Sequence, residues 1–219
     1  MYKLFYSPGA CSFAPHIVLE EIGAPYEAEI INTRDSIGTG TPAWKAMNPK
    51  GRVPALLGVP GRIGGKADLL TEAAAIMFYL ARTHPEAKLM PTDPAGQARC
   101  IEWTNWLSGS VHAQTYGQLW RTYRFSDDKE IFPSIIAKGK LNQVEQYDYI
   151  ESLLADGRDW AVPGAYSYVD PYLLGFYLWG LRSGVDMRGR HPAWTRLAEK
   201  IMARPAVQRV LTNEGLSIS

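Results

Sequence analysis

The stretch from Lys3 to Asn32, "KLFYSPGACSFAPHIVLEEIGAPYEAEIIN", restricts the folding of this chain more than any other. "KLFYS" has the composition of a short strand, and Ser-Pro-Gly is a turn signal. Beyond the turn, Ala14, Ile17, Val18 and Ile22 recur at helical spacing. Pro15 is acceptable in the first turn of such a helix, and Gly23 suits its C-terminal cap. "YEAEIIN" (Tyr26–Asn32) is then a second strand, parallel to the first because a helix crosses between them. The prediction is a βαβ unit.

Asp35 to Met47 is polar and turn-rich, with a brief helical pattern at Pro42–Met47, and "NPKGRVPALLGV" adds a turn, Pro54 and a short apolar strand. The Gly-rich "PGRIGGKAD" predicts a hairpin loop before a strand around Leu69–Leu70. Thr71 or Glu72 then opens a helix through Arg82 that is apolar on nearly every side, so two covered faces are expected. "THPEAKLMPTDP" holds three prolines and reads as a linker, and from Pro94 onward the patterns are helical. The expected organisation is an α/β domain over residues 1–82, a linker over 83–93 and an all-α domain over 94–219.

Charge and cysteine usage narrow the function classes. With 23 Lys and Arg against 22 Asp and Glu, the net charge of +1 offers no basic surplus for nucleic acid. There is no apolar window of about 18 residues, so no membrane segment is expected. "MYKLFYSPG" lacks the pattern of a signal peptide, which predicts a cytoplasmic protein. Cys11 and Cys100 are too few for a disulfide framework, and with four histidines they show no metal-ligand spacing, so no metal is expected.

Three features carry chemistry. Cys11 falls where a turn hands over to the first helix, and there unpaired N–H groups and the helix dipole favour a thiolate of lowered pKa. The alternative is a buried structural cysteine. Cys11-Ser12-Phe13-Ala14 has no second cysteine for a C-x-x-C pair, so a reactive thiol here would exchange with an outside thiol, glutathione being the abundant cytosolic one. The second feature is Pro54 at a strand start: a cis Val53–Pro54 bond would turn the Val53 N–H and C=O outward for an extended peptide, whereas a trans proline would be structural. The third is Glu72 beside the free N–H groups of a helix start, able to grip an amino-acid head or to act as a plain acidic cap. Thiol, peptide edge and amino-acid clamp together describe γ-Glu-Cys-Gly.

"KLFYSPGACSFAPHIVLEE", "NPKGRVPAL" and "LLTEAAAIMFYLA" resemble the glutathione S-transferase family, specifically its bacterial beta class, and "SYVDPYLLGFYLW" resembles its C-terminal helix-capping segment, with Ser167 and Asp170 as a capping box. The resemblance implies a thioredoxin-like N-terminal domain, an all-α C-terminal domain and a homodimer. It implies that Cys11 sits by the glutathione sulfur with Ser12 as a hydroxyl donor, that Val53 and Pro54 pair the peptide, and that Glu72 with the Ala73 N–H holds the γ-glutamyl end. His112 matches a histidine pointing at the thiol and Asn105 an asparagine near the γ-glutamyl end; seven residues apart on a helix, the two share a face.

This sequence departs from the family at Ala73, where serine is common, at Ala113, where the beta class has lysine, and in a long Gly-rich hairpin between Leu57 and Leu69. Arg34 and Lys50 are candidates for the glycyl carboxylate. Trp103 and Trp106, and then Tyr116, Trp120 and Tyr123, are spaced three or four residues apart within each group, as helical core or as the wall of an apolar pocket. The reading is a cytoplasmic bacterial detoxification enzyme that activates glutathione for attack on a small hydrophobic electrophile. A glutathione-dependent thiol-disulfide or peroxide reductase using Cys11, and a non-catalytic binder of hydrophobic ligands, are the alternatives.

Overall fold

The computed structural model describes residues 1–61 and 65–216. Strand β1 (Tyr2–Tyr6), helix α1 (Phe13–Ile22) and strand β2 (Tyr26–Ile30) form the βαβ unit, with Tyr2 opposite Tyr26 in a parallel pair. Gly23 ends α1 at φ 65°, a left-handed conformation that costs glycine little. A short helix α2 (Pro42–Met47) precedes β3 (Ala55–Leu57) and β4 (Leu69–Thr71), which pair antiparallel and give the sheet the order β2-β1-β3-β4. This mixed four-stranded sheet with its helices is the thioredoxin-like arrangement. The Gly-rich turn expected between β3 and β4 lies partly outside the described residues.

β1 shows why the sheet is covered on both sides. Leu4 and Tyr6 point into the main core, while Phe5 joins Trp44 of α2, Val53, Ala55 and Leu69 in a smaller cluster on the other face. Helix α1 is buried from Phe13 through Leu19 and packs on α3 (Ala73–Thr83), α7 (Val169–Arg182) and α10 (Pro205–Asn213). One core therefore runs from the sheet into the helical half. Helix α3 is covered on one face only: Ile76, Met77 and Leu80 are buried, but Phe78 is 37% exposed.

From Pro94 the described chain is helical: α4 (Pro94–Trp106), α5 (Gly117–Trp120), α6 (Phe132–Leu154), α7, α8 (Met187–Arg190), α9 (Pro192–Met202) and α10. Between α4 and α5, Leu107–Tyr116 winds as a π-helix, a widened turn that periodicity did not predict. Asp93 caps α4 through the Gly96 N–H at 2.7 Å. Leu89 in the segment before it is buried, and its carbonyl accepts from the Tyr168 N–H.

Ser167 and Asp170 are both fully buried. Asp170 accepts from the Ser167 N–H at 2.7 Å and the Ala161 N–H at 2.8 Å, which ties the loop before α7 to the start of that helix. Burial pushes its carboxyl up to about 6, against the opposing pull of these donors. Asp170→Ala leaves both amides unpaired, so unfolding in urea should show a loss of about 2–4 kcal/mol; an unchanged midpoint would contradict this role.

Candidate active site

The turn after β1 presents the thiol, and its backbone is fixed from several directions. The Ala10 N–H donates to the Ser7 carbonyl at 3.0 Å, and Gly9 takes φ +66° between them. The Gly9 N–H donates to Glu214 Oε2 at 2.8 Å, while its carbonyl accepts from Trp179 Nε1 at 2.8 Å. Cys11, half-buried, follows at the end of the turn, and its Sγ donates to the Val53 carbonyl at 3.4 Å. The Val53–Pro54 bond is cis, and both residues are buried. Cys11, Ala10 and Ala14 face Tyr172, Phe176 and Trp179 of α7 across a narrow cleft.

The surroundings of the thiol raise its pKa instead of lowering it. Burial pushes Cys11 up to about 12, with the charge of Glu72 adding to the rise; a backbone N–H, Arg124 and Arg52 oppose it. Desolvation outweighs the favourable backbone field here because the residue stands before the helix, which starts only at Phe13, and faces an aromatic wall. The lowered pKa expected from position is thus corrected.

Ser12 also departs from expectation. It is fully buried, its Oγ donates to the Ser7 carbonyl and accepts from the Ser7 N–H, both at 3.1 Å, and it thereby closes the turn on itself. A hydroxyl committed this way is not a donor to a bound sulfur. His112, on the π-helix, is half-buried with its ring 5.1 Å from Trp179 and 6.2 Å from Phe176, so it backs the aromatic wall of the Cys11 cleft. Burial first, then the positive charges of Arg124 and Arg52, lowers it to about 4, and the imidazole is neutral at pH 7. Asn105 is exposed on α4. The widened turn between the two breaks the seven-residue register expected to set them on one face.

Glu72 stands at the start of α3 with φ 77°, and no side chain caps that helix's first turn. Its exposed carboxylate accepts from Lys50 Nζ at 2.5 Å, and Lys50 also donates to Thr71 Oγ1 at 3.0 Å. Lys50, a candidate for the glycyl end, is thus placed at the clamp, while Arg34 is exposed at a 3-10 turn. Ala73 is buried behind Glu72, and Ala113 is exposed. Sequence reasoning missed Trp179 and Glu214. An indole in an apolar helix reads as core and a glutamate in "TNEGLS" reads as solvated, and pairing across 170 and 205 residues leaves no local signal.

Among the described residues, no group of three or more His, Cys, Asp or Glu is placed to hold a metal ion, and no helix is long and apolar enough to cross a membrane. Residues 1–82 match the family model for the glutathione S-transferase N-terminal domain. The chain is 32% identical to the glutathione S-transferase GstA of Escherichia coli O157:H7, over 98% of this chain and 99% of that protein. It is similar in structure to a glutathione transferase homolog from Sulfitobacter with bound glutathione, at 28% identity and TM-score 0.88 over 99% of both chains. A beta-class glutathione S-transferase from Sphingomonas chungbukensis matches at 30% identity and TM-score 0.77, over 98% of this chain and 100% of that one.

Two measurements follow from the electrostatics of the cleft. A thiol held near 12 is almost wholly protonated at pH 7.4, so iodoacetamide should alkylate Cys11 at least about tenfold more slowly than a free cysteine; an equal or faster rate would contradict the burial argument. For His112 the folded value of about 4 lies below the ordinary 6.5, so as pH falls through that window the unfolded chain takes up a proton that the folded chain refuses. His112 therefore removes stability between those values, and the loss should shrink in His112→Phe. An unchanged pH profile would contradict a ring held neutral by desolvation.

Proposed function

The chain belongs to the glutathione S-transferase family and is a glutathione transferase, and from that premise we propose how its residues divide the work. Residues 1–82 hold glutathione, and residues 94–219 supply the aromatic wall against which the electrophile lies. The observation that carries this reading is the position of the Cys11 thiol, directed at the Val53 carbonyl in a cleft walled by Tyr172, Phe176 and Trp179. The glutathione cysteinyl unit pairs with Val53 beside Pro54, which puts its sulfur next to Cys11. The γ-glutamyl ammonium takes the Glu72 carboxylate from Lys50, and the γ-glutamyl carboxylate meets the uncapped N–H groups at Ala73.

In the reaction, glutathione's own sulfur is the nucleophile. It loses its proton to solvent, forms a bond to an electrophilic carbon, and the leaving group departs with its electron pair. His112, neutral, serves as a hydrogen-bond donor to the developing thiolate, a role that needs no imidazolium. Cys11 stays protonated and lies against that sulfur, and Asn105 contributes from across a subunit boundary. A homodimer fits the exposed Phe78 on α3 and Ile101 on α4, two apolar side chains open to a partner. The cellular task is removal of reactive electrophiles in a bacterial cytoplasm.

Glutathione at a hundredfold excess over its dissociation constant should raise stability by about 2.7 kcal/mol. Glu72→Ala should weaken its binding by about 2 kcal/mol, roughly thirtyfold, with folding intact. Calorimetry decides both. No heat of binding at millimolar glutathione would overturn the division of work, and an unchanged affinity in Glu72→Ala would reduce Glu72 to an acidic cap. Cys11→Ala should keep conjugation of an activated aryl halide within a few-fold; its loss would make Cys11 part of thiol activation.

A further inference from the structure

The aromatic wall continues beyond the cleft and ends in cations. Trp179 lines the cleft beside Cys11, and its ring lies 5.3 Å from that of Trp120 at the end of α5. The Arg182 guanidinium sits 5.3 Å from the same Trp120 ring. Arg121 Nη1 donates to the Trp120 carbonyl at 2.8 Å, and the Arg124 N–H donates to the Arg121 carbonyl at 2.9 Å, so one short turn carries both arginines past the wall. The Arg124 guanidinium lies 6.0 Å from the Tyr123 ring in that turn, and its charge bears on both Cys11 and His112.

Elsewhere on this chain six arginines are neutralised, whereas Arg52, Arg82 and Arg196 are unpaired among the described residues and lie apart from any indole contact. Arg99, Arg158, Arg188, Arg190, Arg204 and Arg209 each pair with a carboxylate. Arg121, Arg124 and Arg182 have no such partner among the described residues, although Asp127 and Asp128 follow close in sequence and the whole chain is nearly neutral. Asp128 is turned to the Glu130 N–H instead. Three unpaired guanidiniums at the rim of an indole wall match a flat ligand with a negative edge, because guanidinium binds carboxylate and sulfonate oxygens in fixed fork geometry.

We propose that the co-substrate of this site is an anionic arene: its ring lies along Trp179 and Trp120, its acid group sits among Arg121, Arg124 and Arg182, and its electrophilic carbon faces the glutathione sulfur. The inference rests on the transferase reading and replaces a purely hydrophobic electrophile with an acidic one. For an aryl chloride, the sulfur–carbon bond forms as the carbon–chlorine bond breaks; chloride leaves with the electron pair and the thiol proton passes to solvent. The acid group is unchanged and serves only to steer and seat the ring.

The test compares two activated aryl chlorides that differ by one ring carboxylate, each rate divided by its uncatalysed rate with free glutathione. The carboxylated chloride should show an enhancement in kcat/KM about tenfold larger, shrinking in half-molar salt. In the Arg124→Gln, Arg182→Gln double variant that preference should fall to near parity, while turnover of the neutral chloride and the KM for glutathione stay within about twofold. Equal enhancement in the native chain, or a preference that survives the double variant, overturns the proposal. So does a raised glutathione KM with the preference intact, since the arginines would then serve the peptide's carboxylates. Tryptophan fluorescence titration with carboxylated and neutral S-aryl glutathione conjugates needs no turnover: if neither chloride reacts, the transferase reading fails, and tighter binding of the carboxylated conjugate still supports the anionic site while equal binding overturns it.

Discussion

The Gly9 peptide is the point on which the site depends. Its N–H goes to Glu214 and its carbonyl to Trp179, so a turn that begins in the sheet is fixed by residues from the helical half. Glycine is required there: φ is +66°, and Leu216 lies 3.3 Å from where a Cβ would stand. Glu214 is itself buried and shares its other oxygen with His16 Nδ1 at 2.8 Å, so the end of the chain, helix α1 and the thiol turn form one hydrogen-bonded unit. Ser12 closes the same turn from inside. The thiol is thus placed by backbone geometry, to which its own contact with the Val53 carbonyl at 3.4 Å is added.

That construction explains the division of charge in the cleft. Around the sulfur the walls are indole, phenol and phenyl, and desolvation keeps both Cys11 and His112 in their neutral forms. Other charged groups are Glu72 with Lys50 and, beside Trp120, the unpaired Arg121 and Arg182. A ligand that brings its own charges to the rim and its sulfur to the centre is complementary to this pattern. The neutral imidazole retains an N–H, which is what a developing thiolate requires, and a dry setting strengthens that bond.

The parts of this arrangement that local rules govern were legible in the sequence. Helix α1, its Gly23 cap, the parallel β2 and the start of α3 follow from periodicity and punctuation, and the Ser167–Asp170 box follows from residue type and spacing. The approximate places of Cys11, Val53 and Glu72 follow from the same signals. What escaped were quantities set by packing. The sign of the Cys11 shift depends on an aromatic wall more than 150 residues away, and the commitment of the Ser12 hydroxyl depends on how tightly the turn closes. The widened winding of Leu107–Tyr116 carries no residue pattern distinct from an α-helix, so the relation of Asn105 to His112 could not be read from spacing. Trp179 and Glu214 act through contacts that no window of sequence contains.

The structure of this chain with glutathione bound tests the central claim most directly. The arrangement predicts the glutathione sulfur in contact with Cys11, the cysteinyl peptide group paired with Val53, and the γ-glutamyl ammonium on Glu72 in place of Lys50, with the Gly9 turn unchanged. A sulfur lodged away from Cys11, or a ligand amine bound elsewhere while Glu72 remains paired with Lys50, would contradict it.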